Sequence, residues 1–208
     1  MKTLKYKTVE FAIIFIILPI SFALNYAPQI KLGIGLTGFV YIIYVLLKVE
    51  QKKFKLAKNL NFKVFFKHTL LKLIVIVAIT TCFVWFTNPA LLFNVMLTKP
   101  LLWLFILFFY SFFSVYPQEL IYRTFYFERY LPIFKSKNVF LVINALVFSL
   151  AHLLFKNILV LVLTCIGGLL FALTYYKTKS TVLVSIEHAI YGCWLFTVGM
   201  GDMLGFPA

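Results

Sequence analysis

Long apolar runs separated by short polar stretches fill the chain, and their lengths predict helices rather than strands. Runs at 9–24, 32–49, 70–86, 138–155, 158–176 and 181–198 are each long enough to cross a bilayer as a helix. A further helix is predicted to start at Thr98-Lys99-Pro100, with proline in its first turn. It runs through Tyr116, bends at Pro117 and continues towards Arg129, ending at Leu131-Pro132. The one long polar connection, 48–72, carries eight lysines. Its interleaved Phe54, Leu56, Leu60, Phe62, Phe65 and Phe66 predict an amphipathic helix lying in the interface. The expected fold is all-α: a polytopic transmembrane helical bundle of about seven spans plus that interfacial helix.

Composition excludes the soluble alternatives. With 63% hydrophobic and 12% charged residues and a mean hydropathy of +0.99, no water-facing surface can be assembled. A net charge of +14 raises nucleic acid as a partner, but the basic residues cluster between apolar runs. They read instead as a surface facing anionic lipid headgroups, with no nucleic acid bound. With the N-terminus in the cytoplasm, alternation puts 17 basic residues inside and three, Lys31, Lys99 and Lys156, outside, as the positive-inside rule favours. The first run has the look of a secretory signal, with Ala23 near a cleavage position. Its length and the spans that follow make it a retained helix. Cys82, Cys165 and Cys193 stand alone in apolar runs and read as packing residues.

Three polar groups interrupt the later spans. Glu119 and Arg123 are four residues apart, on one helix face, after a stretch without charge from 101 to 116. A charge at the bilayer centre costs about 2.5–3.5 kcal/mol, so such a pair turns inward, as a structural clasp or as part of a site. Of the 20 basic residues only Arg123 and Arg129 are arginines, which marks a demand for a planar fork. His152 follows Phe148 by one turn, and Glu187-His188 lies inside the last span. Taken singly, each histidine reads as a packing residue and Glu187 as a headgroup-facing one. Together, two His and a Glu on apolar helices form a general-base and electrophile set, or a metal site.

Gln118-Glu119-x-x-x-Arg123, Phe148-x-x-x-His152 and His188, in that order on separate apolar helices, resemble the CPBP family of intramembrane proteases. That family includes the CAAX prenyl endopeptidases and bacterial Abi-type proteins. The similarity covers about 100–198, and it divides the chain into N-terminal membrane helices with a basic loop, 1–99, and a CPBP-like catalytic core, 100–208, within one integral membrane domain. It implies an endopeptidase of a bacterial inner (cytoplasmic) membrane. The substrate is a membrane-associated protein or peptide, cut in a cytoplasm-facing cavity by water activated through Glu119, Arg123, His152 and His188. A zinc ion on His152 and His188 with Glu119 is the other route to an activated water.

Two positions depart from the family pattern. Gln118 stands where the family has its first glutamate, the water-activating base, and an amide cannot accept that proton. Gly192 stands where the family has an oxyanion-holding asparagine. Either Glu119 or Glu187 has taken over as base, or the chain is a catalytically degenerate scaffold or immunity-type protein of the same fold. A proton-relay transporter is disfavoured by the lack of an inverted repeat.

Overall fold

The computed structural model describes residues 1, 3–52 and 61–205, and every regular element among them is helical. Helix α1 runs Leu4–Ala12 and continues through a π-helical stretch, Ile13–Ile17, into Leu18–Phe22. Then follow α2 (Pro28–Val49), α3 (Phe62–Thr87), the short α4 (Asn94–Thr98), α5 (Pro100–Ile133), α6 (Lys137–Phe155), α7 (Ile158–Thr178) and α8 (Thr181–Val198). Six of these, all but α1 and α4, are long and apolar enough to cross a membrane. The first of the seven expected spans, α1, carries Lys5, Lys7 and Glu10 and falls short on charge.

The third span begins earlier than the hydropathy suggests. Asn61 caps α3 by accepting from the Val64 N–H at 3.0 Å, so Phe62, Phe65 and Phe66 are its opening turns, not part of a separate interfacial helix. Phe54, Leu56 and Leu60, also assigned to that interfacial helix, lie outside the described residues. Side chains such as Phe86 and Leu101, each 82% exposed, and Ile158, 77% exposed, are left facing outward from these helices. That surface suits lipid and not water; the protein is an integral membrane protein.

The chain forms two compact units, Met1–Leu56 with Gln118–Lys179 and Ala57–Pro117 with Ser180–Ala208. In the first, α6 and α7 form an antiparallel pair. Lys156 takes a left-handed φ of +52° between them, and Asn157 caps α7 by accepting from the Leu159 and Val160 N–H groups. Phe15, fully buried, packs edge-on against Tyr122, Tyr126 and Tyr130 of α5. Beside this aromatic cluster Arg129 is fully enclosed: its Nε meets Glu10 at 2.7 Å, Nη1 meets Glu50 at 2.6 Å, and Nη2 donates to the Met1 carbonyl at 2.6 Å. Tyr41 and Tyr130 also donate to Glu10. At the other end of α7, Lys179 stacks over Phe127, and burial pushes its ammonium below the usual lysine range, opposed by the Glu128 carboxylate.

In the second unit α8 packs on α3 and on the first half of α5. Indole N–H groups tie them: Trp103 donates to Thr197 at 3.0 Å and Trp194 to Thr80 at 2.9 Å. Gly199 ends α8 at φ +104°, and a Cβ there would lie 2.1 Å from the Leu91 carbonyl oxygen, so glycine is needed on both counts.

Candidate active site

Helix α5 carries candidate residues in each unit and is not a regular α-helix. Pro117 has no N–H to continue the ladder, and wide π-helical stretches flank it at Tyr110–Val115 and Leu120–Phe125. Such turns re-aim side chains and recur at functional sites. One presents Tyr110 in the second unit; the other presents Arg123 in the first.

In the first unit Glu119 and Arg123 are both 0% exposed, with Arg123 Nε 3.3 Å from Glu119 Oε2. The guanidinium is gripped from three helices. Nη1 donates to Asn144 Oδ1 at 2.7 Å and to the Tyr122 carbonyl at 3.1 Å, and Nη2 donates to the Gly168 carbonyl at 3.2 Å. Asn144 in turn donates to the Tyr122 carbonyl at 2.7 Å. Phe148 lies under the guanidinium at 4.8 Å and Phe171 at 5.9 Å. Gly168 permits the third grip, because a Cβ there would stand 3.0 Å from Phe148 Cδ1 and 3.2 Å from Ala145 Cα.

Phe148 also touches His152, ring to ring at 4.9 Å. His152 Nδ1 lies 2.8 Å from the Phe148 carbonyl oxygen. A carbonyl only accepts, so Nδ1 carries a proton, and in the neutral form of the ring Nε2 is the acceptor. Gln118 sits half-buried one residue before Glu119.

In the second unit Glu187, read from sequence as headgroup-facing or as a reserve base, is 0% exposed. Its Oε1 takes Lys72 Nζ at 2.6 Å and the Tyr191 hydroxyl at 2.9 Å, and Tyr191 also donates to the Thr69 carbonyl at 3.2 Å. This half-buried ion pair joins α3 to α8. His188 is buried, with Nε2 3.1 Å from the Tyr110 hydroxyl. Gly192 lies one turn on, against Tyr110.

The structure thus brings together Glu119, Arg123, Phe148 and His152 in one unit, and Glu187, His188 and Gly192 in the other. Among the described residues no three His, Cys, Asp or Glu side chains are grouped to hold a metal ion, so no step here is routed through one. Sequence reasoning missed Asn144, Gly168, Lys72 and Tyr110. Asn144 was within reach: with Phe148 and His152 it forms a stripe at four-residue spacing on one apolar helix.

Residues 99–194 match the family model described as Type II CAAX prenyl endopeptidase Rce1-like. The resemblance to CPBP/CAAX-type proteases is borne out over this segment, which includes every site residue named from the sequence. Neither the curated proteins nor the solved structures compared with the chain give a match.

Proposed function

We propose that the protein is an intramembrane endopeptidase that hydrolyses a peptide bond of a membrane-associated protein. One observation carries this reading beyond the family match: a buried carboxylate held by Arg123, joined through Phe148 to a histidine of fixed tautomer. A clasp for packing alone would not need His152 presented with Nε2 as acceptor.

In the reaction, Glu119 is the base. Its Oε2 lies 3.3 Å from Arg123 Nε, and it takes a proton from water as the oxygen attacks the scissile carbonyl. His152 Nε2 orients that water by accepting its second O–H. The C–N bond then breaks as the proton passes from Glu119 to the leaving amine. Fixed dipoles in a water-poor setting lower such a barrier by several kcal/mol. His188 is the fourth residue that the resemblance implies for the reaction. With α1 counted as a crossing helix, the lysine distribution supports a cytoplasmic N-terminus, and substrate is taken from the cytoplasmic side.

Gln118 favours a second reading, a disabled protease that binds without cutting. Comparing new peptide termini in membranes carrying the native chain, Glu119→Gln, His152→Ala or Gln118→Glu separates the two. The protease reading expects termini from the native chain that vanish with Glu119→Gln; the binder reading expects them only with Gln118→Glu.

A further inference from the structure

The second unit holds a residue, Tyr110, that neither the motif pattern nor the proposed mechanism uses. Tyr110 opens the first wide turn of α5, buried among Ile106, Val115 and Phe196, with the Phe196 ring edge-on at 4.8 Å. Its hydroxyl reaches His188 Nε2 at 3.1 Å, the two rings nearly perpendicular at 83°. Gly192 lies four residues after His188, so it shares that face of α8. A Cβ built at 192 would stand 2.1 Å from the Tyr110 hydroxyl oxygen, 2.4 Å from Cε1 and 2.5 Å from Cζ. The phenol therefore fills the volume that a side chain at 192 would take. The obstruction is the rigid end of a ring packed on both sides, so no residue but glycine fits without driving Tyr110 off His188. Glycine inside a helix costs about 1 kcal/mol relative to alanine, and here its backbone lies in the ordinary helical region. Space for Tyr110 is what the glycine supplies.

We infer that Tyr110 is the positioning residue of His188 and that Gly192 is its steric complement. The inference rests on the reading of His188 as a working group of the peptidase. A phenol suits this place because one oxygen both donates and accepts, so it holds the imidazole whether Nε2 is bare or protonated. The departure at Gly192 is then an exchange: a polar group delivered from α5 stands where the family delivers one from α8.

The test reads the histidine directly. The chain has three histidines, His68, His152 and His188, so protein labelled with ¹⁵N-histidine and reconstituted in lipid nanodiscs gives three ring signal sets, with His188→Asn identifying the third. Tyr110→Phe, which removes only the hydroxyl, is expected to move the His188 ring nitrogens and leave His68 and His152 in place. Gly192→Ala, which pushes the phenol away, is expected to produce the same displacement. It serves as the second reading of the bond if Tyr110→Phe does not fold. Trp103→Phe removes another hydrogen bond between the same two helices and should leave His188 unmoved. On a cleaved substrate, Tyr110→Phe should lower kcat roughly ten- to hundredfold with KM within about twofold, the loss expected for one hydrogen bond to a working group. Tyr110→Ala with Gly192→Asn should recover part of it by returning an amide to the vacated volume. Unmoved His188 signals in Tyr110→Phe overturn the inference, and so does an unchanged kcat beside moved signals. A native chain that cuts nothing contradicts the proposed function instead, and the ring signals still decide whether Tyr110 holds His188.

Discussion

The carbonyl of Gly168 on α7 accepts a hydrogen bond from Arg123 Nη2 on α5 at 3.2 Å, so the guanidinium's hold depends on how closely α6 and α7 approach. Alanine at 168 would place its Cβ 3.0 Å from Phe148 and 3.2 Å from the Ala145 backbone. The ring can shift slightly but the backbone cannot, so the helices must part. Gly168→Ala is expected to destabilise by about 1–3 kcal/mol, seen as a lower Tm in detergent, with a bulkier Gly168→Leu worse. An unchanged Tm in both would mean that this contact is not tight.

The pairing of Glu119 with Arg123 has a signature in a double-mutant cycle. Arg123→Met leaves a buried carboxylate uncompensated and should cost about 3–5 kcal/mol. Adding Glu119→Gln removes the stranded charge, so the double variant should be at least about 1 kcal/mol more stable than Arg123→Met alone. Additive losses in denaturant unfolding would show that the two groups are not coupled as an ion pair.

Arg129 tests geometry rather than charge. Its three nitrogens serve Glu10, Glu50 and the Met1 carbonyl at once, which a lysine ammonium on a single stem cannot do. Arg129→Lys is expected to lose about 1.5–3 kcal/mol, with α1 released first and read as faster proteolysis of the N-terminal residues. Equal protease resistance in the two forms would contradict that role.

The helices were legible because bilayer length and apolar continuity leave a strong one-dimensional signal, and the Glu119–Arg123 and Phe148–His152 spacings follow from a single helix turn. What lay beyond the sequence were the partners supplied from other elements. Glu10 and Arg129 are 119 residues apart and Lys72 and Glu187 are 115 apart, so no local pattern joins them. Gly168 looks like an ordinary membrane-helix glycine until Phe148 and Ala145 are seen against it, and no sequence pattern places Tyr110 against Gly192. The eight extra residues at the start of α3 were missed because lysines among Phe62, Phe65 and Phe66 mimic an interfacial face.

Glu187 is the rival base, and its surroundings argue against the part. Lys72 and Tyr191 already hold its Oε1, an arrangement that Glu187→Gln can largely keep through its carbonyl oxygen. Peptide-bond cleavage is therefore expected to fall less than about threefold in Glu187→Gln and more than about a hundredfold in Glu119→Gln, the range for loss of a general base. The reverse order in a purified cleavage assay would move the base to α8.

The most direct test of the central claim is a comparison of protein termini in membranes from cells carrying the native chain or Glu119→Gln, both confirmed as folded and equally abundant. The account predicts a defined set of new termini with the native chain that disappears when Glu119 becomes an amide. Identical termini in the two membranes would contradict it: Glu119 would not be the base, and the clasp around Arg123 would serve the fold alone.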